Sequence, residues 1–264
     1  MKKHRSSSRS TSRQNQRVEK SPRTTSALSP HVQYQRIILK ISGEMLGGRA
    51  EPFNRQLLAY TVAQIAESHR CGVKIGVVVG GGNLVRGRAM QWLGSINADQ
   101  CGMIATVING IVIHAHLQQH RIPSRLSSGI DVSGIVHRCS QQDDRPHYDA
   151  GTVLIFVGGT GNPLFTTDTA AALRAAECDA DIVIKATKVE GVHSADPEKT
   201  KKASLYKKLR YEEAIAKNLK IMDLAAFDLC RNAGIPICVY NFAKYPLKSI
   251  IEGKEIGTLV TNGG

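Results

Sequence analysis

From Arg36 onward the chain alternates short apolar runs with longer amphipathic stretches, and several of the runs open into glycine-rich polar segments. RIILKIS (Arg36 to Ser42), VKIGVVV (Val73 to Val79), TVLIFV (Thr152 to Val157), DIVIKA, IPICVYN and IGTLV (Ile256 to Val260) are short and rich in β-branched residues. They read as buried strands. Between them, Asn54 to Cys71 has Leu57, Leu58, Val62 and Ile65 at helical spacing, with Gly72 as its stop. Asp99 to His120 predicts a second helix with Met103, Ile104, Val107, Ile108 and Ile111 on its buried side, opened or capped by Asp99. AAALRAAE, Tyr211 to Asn218 and Met222 to Ala233 predict three more, the last stopped by Gly234. Arg121 to Ala150 is polar and weakly patterned, and reads as a short strand and a variable connection. Strands alternating with helices predict an α/β fold, a largely parallel sheet with helices on both faces. The glycine loops follow strands, which gathers them on one edge of that sheet.

Composition narrows this only a little. A chain of 264 residues with 42% hydrophobic content suits one large α/β domain or two lobes. Apolar runs stay short, so no membrane span is expected. Six cysteines without a C-x-x-C pair argue against a zinc ribbon or disulfide framework, and point to a reducing, cytoplasmic compartment. The net charge is +13, but residues 1–34 hold eight Lys/Arg and one Glu. That Ser- and Arg-rich segment predicts a disordered basic tail; it lacks a secretory apolar core, and its composition also fits an organellar transit peptide. Nucleic acid binding, if any, is expected through this tail.

The chemistry concentrates in GGTGNPLFTTDTAAALR, Gly158 to Arg174, a strand-to-helix crossover with three glycines, four threonines and Asn162. Such a loop lets backbone approach a ligand closely, Thr167 or Asp168 can cap the following helix, and the first helical N–H groups suit an anion. Leu164 stands where a dinucleotide fingerprint needs its third glycine, and the Lys-Ser/Thr of a P-loop is missing. GGGNLVRGR, Gly80 to Arg88, is a second glycine loop; Arg86 there either lies on the surface or bridges phosphates with its forked donors. Lys40, at the carboxyl end of the first strand, precedes Ser42 and Gly43 and would set an ammonium beside backbone N–H groups. His116 and His120 have metal-pair spacing without an acidic partner, and read as surface histidines.

Taken with DADIVIKATKVEGVHSADP, KISG, GGGN-x-x-RG and DQCGMIATVING, the central motif resembles the bacterial UMP kinases of the amino acid kinase superfamily across residues 35–262. The resemblance implies a three-layer α/β sandwich, with an acceptor half over about 35–165 and an ATP half over about 166–262. It implies transfer of the γ-phosphoryl group of ATP to UMP, giving UDP for pyrimidine nucleotide synthesis, with Mg²⁺ carried by the nucleotide phosphates. By the same resemblance Lys40, Arg86 and Asp223 are catalytic, Asp223 orienting Lys40. Lys40, Ile41, Ser42, Gly43, Gly82, Arg86, Thr187, His193 and Asp196 would contact ATP. Gly81, Asp99 and Thr160, Gly161, Asn162, Pro163, Leu164, Phe165, Thr166 and Thr167 would contact UMP. It also implies a homohexamer and an allosteric response to GTP. The chain departs from the pattern in three places. The segment between Arg86 and Asp99 is about two residues shorter than is common in the family and lacks the arginine often found shortly before the aspartate, His193 replaces an aromatic ring, and GGRAEPFN (Gly47 to Asn54) is shorter than the family's acidic segment. Kinases of the same superfamily that act on acetylglutamate, aspartate or carbamate are the alternative, as is a nucleic-acid-binding protein.

Overall fold

The structure, a computed structural model, describes residues 32–48, 50–195, 200 and 203–263. Its strands are β1 (Arg36–Ile41), β2 (Lys74–Val79), β3 (Ser124–Ser128), β4 (His137–Arg138), β5 (Val153–Val157), β6 (Ile182–Thr187), β7 (Lys208–Arg210), β8 (Ile237–Asn241) and β9 (Thr258–Thr261). They form one nine-stranded sheet in the order β4-β3-β5-β2-β1-β6-β8-β9-β7. Every pairing is parallel except β8 with β9. The helices are α1 (Arg55–Arg70), α2 (Ser95–Gln119), α3 (Gln141–Asp149), α4 (Thr167–Glu177), α5 (Tyr211–Ala216), α6 (Leu224–Ala233) and α7 (Leu247–Ile251).

Because a strand sends alternate side chains to opposite faces, β1 feeds two cores. Ile37, Leu39 and Ile41 join the core shared with α1, α2 and α7. Ile38 joins the other, which α3, α4 and α6 cover. Both faces are sealed, which is why the strands read as continuous apolar runs. Strand β1 lies at the middle of the sheet, between β2 and β6. The loops leaving the carboxyl ends of these three parallel strands therefore meet, as ligand-binding loops do in open α/β sheets.

Several expectations need correction. Val32 and Tyr34, assigned to the tail by composition, pack against the first core, and the N–H groups of Gln33 and Tyr34 donate to Ile251 O at 2.9 and 3.2 Å. Residues 1–31 lie outside the described residues. Helix α1 matches its expected span: Asn54 Oδ1 accepts the N–H groups of Gln56 and Leu57 at 3.1 Å, and Gly72 turns out with φ +84°. Leu57 itself is exposed.

Helix α2 begins at Ser95, so Asp99 sits inside it rather than capping it. Its buried side also differs: Val107 is buried, whereas Ile104, Ile108 and Ile111 are exposed. The helix packs on β3 and β5 through Gly110, while its Ala105 faces Gly81 in the loop after β2. A Cβ at Gly110 would collide with Val157 and come within 3.0 Å of Leu126, so glycine sets the close approach. Apolar residues surround this helix, and spacing alone does not choose its face. Among the described residues α2 is also the helix long and apolar enough to cross a membrane by length and composition, which the short runs in the sequence did not suggest.

Candidate active site

The centre of the carboxyl edge follows from strand register. Lys40 on β1 and Lys185 on β6 are Cα partners across the parallel pair. Each continues the face marked by Ile38 and Val183, which both lie in the second core. The two ammonium groups therefore emerge side by side, on the face covered by α4. There they meet Asp168, in the first turn of α4: Lys40 Nζ lies 2.9 Å from Oδ1 and Lys185 Nζ 2.7 Å from Oδ2. Lys185 also donates to Ile221 O at 2.6 Å.

All three groups are largely buried, and the titration of Asp168 and Lys185 reflects it. Burial alone would raise Asp168, but the ammonium groups of Lys40 and Lys185 outweigh it and hold the carboxyl below the ordinary aspartate range. Burial pushes Lys185 down, opposed by Asp168 and reinforced by its neighbour Lys40. Two cations share one anion, and Asp223 adds a second negative charge within electrostatic reach of Lys185.

Asp223 does not orient Lys40; Asp168 does. The reason lies in geometry at the start of α6, where Asp223 is the cap and Oδ1 accepts Ala226 N–H at 2.8 Å. Its carboxylate is otherwise held by two hydroxyls of the central motif, Thr166 Oγ1 and Thr169 Oγ1, the latter at 2.7 and 2.8 Å. Asp223 so ties α6 to the entry of α4. The cap of α4 is Thr166, whose Oγ1 accepts Asp168 N–H at 3.0 Å. That frees the Asp168 side chain, one of the expected caps, to face the lysines.

The two glycine loops after β1 and β2 interlock. A Cβ at Gly43 would strike Asn83 Oδ1 and come within 2.7 Å of Gly80 O and 2.8 Å of Gly82 N. Ser42 Oγ accepts Glu44 N–H at 3.3 Å, starting a 3-10 turn over Gly43–Met45. Asn83 is buried and exchanges amide hydrogen bonds with Asn109 of α2 at 3.0 and 2.7 Å; Asn109 also donates to Gly80 O at 2.7 Å. This amide pair fixes the second glycine loop against α2. Ile41, expected near ATP, has its side chain in the first core and its carbonyl on Gly80 N–H at 2.9 Å. Arg86 is exposed at the end of the second loop and donates to Glu44 Oε1 at 2.6 Å.

A cavity of about 280 Å³ opens between α2 and the central motif. Gly81, Asp99, Leu164, Phe165, Thr166 and Thr167 line it, together with Met103 and Thr106. Asp99 Oδ2 accepts Leu164 N–H at 2.7 Å, and Leu164 holds φ +71°, a left-handed conformation unusual for a branched residue. Gly161 has φ +86°, and a Cβ there would collide with Gly129 O. Thr160, Gly161, Asn162 and Pro163 do not line this cavity; the Thr160 hydroxyl closes its own turn with Asn162 at 3.2 Å.

On the other side of β1, Thr187 ends β6 and its hydroxyl donates toward Val189 O and Tyr240 O at 2.9 and 3.0 Å. His193 pairs in an isolated bridge with Leu205, its Nδ1 3.2 Å from Gly191 O. Asp196 lies outside the described residues. Among the described residues no three His, Cys, Asp or Glu side chains cluster as a metal set.

Neither the contact of Lys185 with Asp168 nor the separate Asn83–Asn109 amide pair is evident from the sequence. Lys185 did carry a signal: like Lys40, it is a lone lysine after an apolar run on a strand face that otherwise points into the core. Asp168 offered only the ambiguity of an acidic residue at a helix start.

Comparison with known proteins identifies the family and the fold. The sequence model of the amino acid kinase family matches residues 35–241. A uridylate kinase of Legionella pneumophila is 43% identical over 235 residues, 88% of this chain and 96% of that relative. One from Colwellia psychrerythraea is 43% identical over 238 residues, 89% of this chain and 96% of the relative. The crystal structure of UMP kinase from Bacillus anthracis has a TM-score of 0.84 at 31% identity, covering 88% of this chain and 97% of that one. That of UMP kinase from Ureaplasma parvum has a TM-score of 0.81 at 32% identity, covering 87% and 99%.

Proposed function

The chain belongs to the amino acid kinase family and, within it, to the uridylate kinases; it transfers the γ-phosphoryl group of ATP to UMP, giving UDP and ADP, and we propose how its residues divide that work. Phosphoryl transfer asks little covalent chemistry of a protein. It needs in-line positioning and charge that neutralises the moving group. The observation that carries the assignment is the pair of lysines sharing Asp168 beside the cavity over α2.

Lys40 supplies positive charge to the transferring phosphoryl group, and Lys185 adds to the field while Asp168 fixes both ammonium groups. Arg86 bridges phosphates from the loop side, with the N–H groups of Gly43, Gly81 and Gly82. Asp99 and residues Leu164 to Thr167 receive UMP; Thr160 to Pro163 shape the loop that carries them. Ser42, Thr187, His193 and Asp196 contact ATP, and Ile41 contributes through its backbone. The UMP phosphate is already an anion, so no general base is required. Magnesium would be carried by the ATP phosphates and would add positive charge there. Asp168 is held by lysines, so Asp223, held by hydroxyls and a helix cap, is the carboxylate that would be left to meet such an ion.

Self-association, expected as a hexamer, is supported by the exposed apolar side of α2, where Ile104 and Ile108 line an open groove of about 610 Å³ with Leu84, Val85 and Leu93. The substrates and six free cysteines suit the cytoplasm and a place in pyrimidine nucleotide synthesis. Regulation by GTP and any nucleic acid contact of the basic tail are further expectations.

The test is ADP release with Mg-ATP and UMP, set against CMP, acetylglutamate, aspartate and carbamate. Turnover with UMP, lost in Lys40→Ala and Arg86→Ala, is expected. Turnover with a small carboxylate alone would remove the nucleotide acceptor.

A further inference from the structure

The carboxyl edge carries an ion-pair arrangement that phosphoryl transfer does not use as it stands. Glu44, in the 3-10 turn after β1, has both carboxylate oxygens occupied. Arg86 Nη2 donates to Oε1 at 2.6 Å and Lys188 Nζ to Oε2 at 3.0 Å. Arg86 comes from the glycine loop after β2, on the acceptor side. Lys188 follows β6, on the donor side. One carboxylate thus joins the two cation-bearing loops across the end of the central strand.

The clasp is built to exchange. The side chains of Arg86, Lys188 and Glu44 are 47, 65 and 33% exposed, and ion pairs this wet are individually weak. The Glu44 backbone, by contrast, is anchored: its N–H bonds Ser42 Oγ, and the neighbouring Gly43 fits only as glycine. Two carboxylate oxygens, each taking one cation, present the same charge and hydrogen-bond chemistry as two phosphate oxygens.

We infer that Glu44 is an internal anion that holds Arg86 and Lys188 in the free enzyme, and that nucleotide phosphates bind by exchanging with it. This rests on the kinase reading above. Glu44 acts as a positioning residue. It keeps two flexible cations gathered before substrate arrives, competes with phosphates for them, and recaptures them as product leaves.

The experiment is calorimetric titration of the full chain with Mg-ATP and with UMP, separately, beside steady-state kinetics. Glu44→Gln keeps the shape and removes the competing charge. It should tighten Mg-ATP binding and lower its KM by about two- to tenfold, the size expected for one or two exposed ion pairs, without raising kcat. Glu44→Asp keeps the charge but is too short to span both cations, and should shift affinity the same way by less. In a Lys188→Ala background the gain from Glu44→Gln should shrink. A merely structural glutamate would give weaker binding and a higher KM in both variants, which would overturn the inference, as would an undiminished gain in the Lys188→Ala background. If the unsubstituted chain binds neither nucleotide, the kinase reading falls and takes this inference with it. If it binds both and Glu44→Gln binds no better, the inference about Glu44 alone falls.

Discussion

Lys40 and Lys185 are register partners on adjacent parallel strands, and the side chains of both end on one carboxylate, Asp168. Two ammonium groups held side by side at the edge of a core repel unless an anion lies between them. Asp168→Ala should therefore destabilise the fold by about 3–5 kcal/mol, the usual result of stripping a buried charge of its partner. Asp168→Asn retains the volume and should cost less stability. It should still lower kcat on the order of 10²-fold, because Lys40 loses the group that aims it. Urea denaturation and single-turnover kinetics on the two variants check both statements.

The same carboxylate sets an acid limit. Asp168 titrates below its ordinary value of 3.8 in the folded chain. Between the folded and unfolded values the unfolded chain binds the extra proton, so stability rises with pH there and this contribution is complete above 3.8. It is lost as pH falls through the folded value. Urea midpoints measured from about pH 5 downward should fall more steeply for the natural chain than for Asp168→Asn, whose side chain does not titrate.

Gly43 is the point where the first two loops touch. Alanine there would strike the buried Asn83 amide and also the main chain at Gly80 and Gly82, so the backbone of the second loop would have to move. Gly43→Ala should cost about 1–3 kcal/mol, as overpacking does. It should also raise the KM for ATP, because the displaced N–H groups are those proposed above to meet phosphate. Gly48→Ala meets nothing within 4 Å and serves as the control, with a melting temperature close to that of the natural chain.

Asp223 separates structure from chemistry. As the cap of α6 it should cost about 0.5–2 kcal/mol when replaced by alanine. Asn can still accept the Ala226 N–H, so Asp223→Asn should recover most of that stability. If the negative charge acts on the phosphates or on magnesium, the asparagine variant should stay slow despite its recovered melting temperature, and its magnesium requirement should shift upward. Melting curves and magnesium titrations of rate read the two effects independently.

Most of the sheet was legible because its strands are buried on both faces and so read as plain apolar runs. Lys40 and the glycine loops stood out against that background. Helix α3 did not: Gln141–Asp149 is polar, contains Pro146, and buries only Asp144 and Tyr148. Asp144 is held by Ser127 Oγ at 2.6 Å and Tyr148 by the carbonyls of Ile37 and Lys74 at 3.1 Å. Hydrogen bonds to distant strands, which no local period records, anchor it. Asp168 was hidden for a similar reason. Its partners lie on two strands whose adjacency is a fact of sheet order, and Asp223 competed for the same role by motif alone. The face of α2 was misread because small residues take the buried side, leaving the larger isoleucines outward.

Those isoleucines make the last prediction. Ile104, Ile108 and Ile111 are 50, 44 and 37% exposed along one helix, far more apolar surface than a solvated face needs. If the chain assembles through α2, a charge in this stripe should break the contact without touching Lys40, Asp168 and Lys185, which meet within one chain. Ile108→Asp should sediment as a smaller species than the natural chain. The variant should still bind Mg-ATP, since Lys40, Asp168 and Lys185 are joined within one chain and lie on β1, α4 and β6 rather than on α2. Sedimentation velocity with parallel nucleotide titration decides it. An unchanged sedimentation coefficient would move the interface elsewhere, and a collapse of nucleotide binding together with assembly would mean that α2 positions the acceptor cavity only when a neighbour covers it.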